Sequence, residues 1–207
     1  MTSQPTISLH KGDLPGGLDF GDSVAIDTET LGLVPRRDRL CVVQLSRGDG
    51  SAHVVQIAAG QKDAPNLTKL LADPKVTKLF HFARFDIAVL YATFGTMAGP
   101  LYCTKIASKL ARTYTDRHGL KDLVRELLGV DLSKQQQSSD WGAETLSEAQ
   151  IAYAASDVLY LHALREKLDA MLERQGRKAL AKDSFVFLPT RAKLDLLGWD
   201  GDIFSHD

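Results

Sequence analysis

The segment Ser23-Val-Ala-Ile-Asp-Thr-Glu-Thr30 sets a short apolar run directly against two carboxylates, and that combination narrows the fold more than any other feature of the chain. A run of this kind reads as a β-strand, whose side chains alternate between faces. Asp27 and Glu29 therefore point the same way at the strand exit. Two carboxylates on one rigid face either repel each other or share a cation, and a hard divalent ion such as Mg²⁺ or Mn²⁺ is the lower-energy arrangement. An isolated Asp-x-Glu is more often a pair of solvated strand-end acids, so the remaining partners must be found elsewhere in the chain.

After a Gly-rich start, strands are expected over Val24 to Asp27, Leu40 to Ser46, Ala52 to Ile57 and Thr77 to His81. The turn Arg47-Gly-Asp-Gly50 predicts an antiparallel hairpin between the second and third. A short helix over Asn66 to Leu71 stops near Pro74, and another runs through Asp86 to Phe94. From Thr104 the pattern is helical, with breaks near Arg117-His-Gly119 and between Gly129 and Leu146. Ser147 with Gln150 three residues on has the form of a capping box, opening a helix that runs to Gly176. The expected architecture is α/β, a mixed sheet flanked by helices. At 207 residues the chain suits one domain, with a core over about 23–175 and a C-terminal tail, 177–207, that packs on its own domain or on another subunit.

Asp86 follows a predicted strand in His81-Phe-Ala-Arg-Phe-Asp86, and Tyr153 and Asp157 share a helix face in Tyr153-Ala-Ala-Ser-Asp157. Each has an ordinary reading alone: a helix-terminal acid, a half-buried aromatic, a surface charge. Their joint order has no ordinary reading. Asp27-x-Glu29, Asp86, then Tyr153-x-x-x-Asp157 resembles the DEDD exonuclease superfamily in its tyrosine branch. Ala25-Ile-Asp-Thr-Glu-Thr-Leu31, Gly119-Leu-Lys-Asp-Leu123, Ser139-Asp-Trp141 and Tyr153-Ala-Ala-Ser-Asp-Val-Leu-Tyr-Leu161 resemble ribonuclease D. The C-terminal Phe187-Leu-Pro-Thr-Arg-Ala-Lys-Leu-Asp-Leu-Leu-Gly-Trp199 is similar to the short, single-domain group called nanoRNase C.

The resemblance implies a ribonuclease H-like (DnaQ-like exonuclease) fold and a metal-dependent 3'-to-5' exoribonuclease with two divalent ions, Mg²⁺ or Mn²⁺. It implies that Asp27 bridges both ions, that Glu29 and Asp157 hold the water-activating one, that Asp86 serves the leaving-group one, and that Tyr153 orients or deprotonates the water. Short RNA oligonucleotides, down to dinucleotides, are the implied partners, and closed ring-like homo-oligomers the implied assembly. Two departures stand out. Ribonuclease D commonly has asparagine at the position of Phe82, and this chain has no room for the C-terminal helical RNA-binding domains. The histidine branch would place its histidine where this chain has Ala152.

Thr28, Leu31, His81, Lys105 and Trp141 are the candidates for touching substrate. Leu31 could wedge against a base or sit in the core, Trp141 could stack on a base or anchor its loop, and His81 could be an internally satisfied strand-end residue. Lys105, Lys109, Arg112, Arg117 and Lys121 form either a phosphate-facing row or a solvated helix face, and Arg36, Arg37 and Arg39 a basic loop. The net charge of −1 gives no global pull on polyanions, so nucleic-acid binding must rely on local basic clusters or metals and a long wrapped duplex is not the expected partner. Cys41 and Cys103 read as reduced core thiols. No apolar signal core or stretch of ~18 apolar residues is present, so a cytoplasmic protein with no membrane partner is expected. The competing enzyme readings are processing of longer structured RNA 3' ends and an exonuclease acting on DNA ends. A binding module without turnover is the competing answer of another class, and an aspartate phosphatase is disfavoured by glutamate in place of the second Asp of Asp-x-Asp.

Overall fold

Every residue of the strand Leu40–Ser46 is buried, which requires cover on both faces of the sheet that contains it. The computed structural model describes residues 5–133, 135–136, 138–199 and 201–206. Its strands are β1 (Thr6–Lys11), β2 (Ser23–Thr30), β3 (Leu40–Ser46), β4 (Ser51–Gln56), β5 (Thr77–Phe80) and β6 (Leu101–Cys103). They form one mixed sheet in the order β1-β4-β3-β2-β5-β6. The expected β3–β4 hairpin is antiparallel, as is β3 with β2, while the β1–β4, β2–β5 and β5–β6 pairs are parallel. The helices are α1 (Pro65–Ala72), α2 (Ala83–Phe94), α3 (Thr104–Ala111), α4 (Leu120–Leu128), α5 (Glu148–Val158), α6 (Leu161–Arg174) and α7 (Lys178–Leu197).

Three elements differ from the sequence expectation. β1 is an additional edge strand: Ile7 and Leu9 alternate with polar residues in the manner of a half-covered strand. β6 has three residues, too few to carry a periodic signal. The helix expected from Ser147 to Gly176 is two helices. The capping box at Ser147 and Gln150 is formed, but the helix breaks at Leu159 and Tyr160, which contain neither glycine nor proline. The break lets α5 lie on β2, β3 and β4 while α6 turns to pack on α3. Along α6, Leu161, Leu164, Leu168 and Leu172 are buried at helical spacing.

The C-terminal segment forms the 20-residue helix α7, which packs against α2, α3, α6 and β6. A charged clasp fastens it to α2. Arg84 donates from Nε and Nη2 to the two Asp195 oxygens, each at 2.6 Å, and Arg191 donates to Asp195 Oδ1 at 2.8 Å. Such planar, two-point pairing is the strong form of an arginine–carboxylate contact. Cys41 and Cys103 are buried free thiols.

Candidate active site

β2 enters the core through Val24, Ala25 and Ile26, all fully buried, and leaves it with its acids. Alternation sends Asp27 and Glu29 to the face covered by α5, where Asp157 waits. Carboxylate oxygens of Asp27, Glu29 and Asp157 all lie within 4.8 Å of one another. Thr28 points to the other face, and its Oγ1 donates to Asp86 Oδ1 at 2.7 Å. Asp86 thus comes from the first turn of α2, only 3 % exposed, and stands outside the close triple while remaining near enough to act electrostatically on Asp27 and Glu29.

Four carboxylates in this small a volume cannot all ionise without a counter-charge. Burial, followed by the neighbouring acids, raises Asp27 well above the usual carboxylate range. Glu29 is pushed up to about 9 by burial, with Asp157 and Asp86 adding to it. Asp157 is raised to about 7 by burial, which a hydrogen bond from Tyr153 opposes. Asp86 is also raised to about 7 by burial, against the pull of the Thr28 hydrogen bond. Tyr153 is raised above its ordinary value by burial and then by Asp157, Glu29 and Asp27. The donor set is all oxygen, clustered and short of positive charge, which fits hard divalent cations.

The five residues expected at the centre are therefore brought together. The tentative substrate contacts divide. Leu31 is 55 % exposed, so the core alternative does not hold. It lies against Gly142, where a Cβ would come within 2.7 Å of Leu31 Cδ2, so a larger residue there would displace the Leu31 side chain. Trp141 is 3 % exposed, and its ring stands 6.0 Å from that of Tyr153. With no face open to a base, it anchors its loop behind Tyr153; Gln150 Nε2 donates to Asp140 O at 3.0 Å and Arg39 Nη2 to Gly142 O at 3.3 Å. Thr28 spends its hydroxyl on Asp86. His81 Nδ1 is bonded to Thr104 Oγ1 at 2.8 Å, and burial and then Lys105 push its pKa down to about 3, so it is a neutral internal residue. Lys105 instead lies 4.6 Å over the Phe82 ring centroid.

The basic row does not exist as one surface. Arg112 is fully buried, bonded to Ser108, to the Arg117 carbonyl and to Glu126. Arg37 pairs with Asp38, and Arg39 turns inward to the carbonyls of Leu40 and Ile57.

Gln44 is a site residue that sequence reasoning missed. It is fully buried on β3, opposite Asp27 in the ladder, and its Nε2 donates to Asp27 Oδ2 at 2.7 Å. Its Oε1 is buried without a partner among the described groups. The available signal was a lone amide inside the apolar run Leu40 to Leu45.

Residues 16–173 match the family model described as 3'-5' exonuclease. The ribonuclease D of Granulibacter bethesdensis is 38 % identical over 165 residues, 80 % of this chain and 41 % of the relative, so the match covers less than half of that protein's length. The structure of Brucella melitensis NrnC with bound Mg²⁺ is 63 % identical, with a TM-score of 0.94, over 98 % of this chain and 100 % of that one. The structure of the same protein bound to pGG is 63 % identical, with a TM-score of 0.95 and the same coverage.

Proposed function

The chain belongs to the 3'-5' exonuclease family, in its ribonuclease D-like branch, and from that premise we propose that it hydrolyses short oligoribonucleotides from the 3' end, down to dinucleotides, releasing nucleoside 5'-monophosphates with two divalent ions, Mg²⁺ or Mn²⁺. The observation that carries this reading is the convergence of Asp27, Glu29 and Asp157 oxygens within 4.8 Å, with Asp86 delivered separately from α2. Bound divalent ions supply a water acidic enough to attack at neutral pH and neutralise charge on the leaving 3'-oxygen. Glu29 and Asp157 would hold the ion on the water side, Asp86 the ion on the leaving-group side, and Asp27 both. Tyr153, whose phenol is held protonated by burial and by the acids around it, would orient the attacking water rather than deprotonate it.

The preference for short RNA is supported by the absence of net positive charge and by the dispersed basic residues, which leave little surface for gripping a long strand. It is also supported by the likeness to the NrnC structure bound to pGG. Residues 1–207 would act as one exonuclease domain of a cytoplasmic protein. No described helix is long and apolar enough to cross a membrane. The exposed Leu180, Val186, Leu197 and Trp199 in the C-terminal segment support a subunit contact in a homo-oligomer, ring-like as in the resembling group.

The test compares end-labelled pGG, a longer RNA and duplex DNA under Mg²⁺ and Mn²⁺, with Asp27→Ala as control. The dinucleotide is expected to turn over fastest. Equal rates on all three defeat the short-substrate claim, and full activity in Asp27→Ala defeats the centre itself.

A further inference from the structure

Among the described residues Phe82 is the one non-glycine position with positive φ, at 74°. A bulky side chain there is a steric outlier. Such strain persists where the surroundings over-determine it, and it gathers at ligand clamps and active sites. Burial does not compensate, because the residue is 44 % exposed. Its ring instead carries the Lys105 ammonium, 4.6 Å from the centroid, and no ion pair joins Lys105 to a carboxylate among the described residues.

Phe82 also lines a recess of about 400 Å³ together with Leu33, Val34, Pro35 and Arg36 and the Arg84–Asp195 pair. Leu33, Val34 and Pro35 follow Glu29 and Leu31 out of β2, and Phe82 stands one helical turn before Asp86. The recess is therefore framed by the same two segments that deliver the acids. The aromatic ring and the aliphatic residues of this recess suit a planar base, and Lys105, which lines the neighbouring recess that shares Phe82, offers an ammonium to a phosphate. Stacking on such a ring tolerates any base, and the ammonium supplies the charge-assisted contact.

We propose that Phe82 stacks on one base of the RNA substrate while Lys105, held over the same ring, pairs with the adjacent phosphate, the two residues forming a specificity-determining subsite. This inference rests on the exoribonuclease reading above. It accounts for a strained phenylalanine where a residue at ease in the left-handed region would be more stable.

Steady-state kinetics on pGG and on its two analogues lacking one base, with Phe82→Leu, Phe82→Asn and Lys105→Gln, test it. Phe82→Leu is expected to raise KM for pGG about tenfold with kcat nearly unchanged, and to lose that effect on the analogue missing the stacked base. Lys105→Gln raises KM alike for intact and abasic dinucleotides. Phe82→Asn raises KM while raising the Tm of the metal-free protein by about 2–5 °C, since asparagine accepts this backbone conformation. An unchanged KM in Phe82→Leu overturns the subsite. So does an equal loss on the intact dinucleotide and both abasic analogues, or a Tm that falls in Phe82→Asn. Wild-type protein that leaves pGG intact under both metals sinks the exoribonuclease reading, whereas normal wild-type cleavage matched by Phe82→Leu sinks this subsite alone.

Discussion

Helix α2 carries Arg84 and Asp86 two residues apart, and the two side chains enter opposite kinds of cluster. At Asp86 four acids gather with no basic partner among the described residues, and their protonation is forced upward by burial and mutual repulsion. At Arg84 the charges are matched: Asp195 receives Arg84 and Arg191, and its carboxyl is held below the usual range by those hydrogen bonds although burial opposes them. The clasp is matched in charge and fixes α7 to α2. The acid cluster has no such counter-charge among the described residues, an arrangement that costs stability without a metal and suits a divalent cation. Charge that remains unbalanced in an otherwise well-packed core is the feature on which the proposed centre rests.

Removing one acid breaks the first cluster most directly. Asp27→Ala should lower turnover of end-labelled dinucleotide at least ~10³-fold, in the range lost when a group essential to the chemistry is removed, while metal-free Tm stays level or rises because one repelling charge is gone. A fall of many degrees would mean that the cluster supports the fold. Gln44→Leu comes next. Support residues around metal sites typically carry about 10- to 100-fold in metal affinity or activity, so the Mg²⁺ concentration for half-maximal Tm shift should rise in that range while saturating Mg²⁺ restores most turnover. An unchanged Mg²⁺ titration would make Gln44 a packing residue.

Asp195→Ala attacks the matched cluster instead. Losing one partner of a buried pair costs ~3–5 kcal/mol, and with the Arg84 side chain 37 % exposed about 2 kcal/mol is expected. That corresponds to a Tm drop of about 4–8 °C, with the Mg²⁺ titration unmoved; calorimetry with and without metal separates the two. A pair of opposite pH slopes completes the comparison. Folded Asp86 and Asp157 titrate near 7 and Glu29 near 9, whereas unfolded carboxyls release protons near pH ~4. The folded state binds more protons through that window, so metal-free stability should fall as pH rises from about 4 through 7 to 9. Asp195 has the reverse sign, stabilising above its unfolded pKa and losing that contribution as pH falls. Tm measured in chelator at pH 6 and pH 8 should therefore decrease, and Mg²⁺ should raise it more at pH 8. A flat profile would count against the repulsion.

The acids were legible because each sits in a local pattern: a strand exit, a helix start, an i,i+4 helix face. Chain order then joined them. What stayed hidden depended on partners far apart in sequence. Thr28 and Gln44 each hold an acid, but their partners lie 58 and 17 residues away. The Arg84–Asp195 clasp spans 111 residues, and no periodicity encodes it. Lys105 and Arg112 looked alike as members of a basic row, yet packing put one over an aromatic ring and enclosed the other. The left-handed backbone at Phe82 had no signature at all, since nothing in a phenylalanine announces a conformation it disfavours.

The delivery of Asp27 and Glu29 to one face, with Thr28 between them on the other, makes the centre a matter of parity. A one-residue slip of β2 against β3 would exchange the acids for the threonine and bury Ile26 on the wrong side, with no change in composition. A two-residue slip would keep every side chain on its face and merely displace it along the strand. Sequence length is therefore negotiable in the loops around β2, but within the strand the count must stay even.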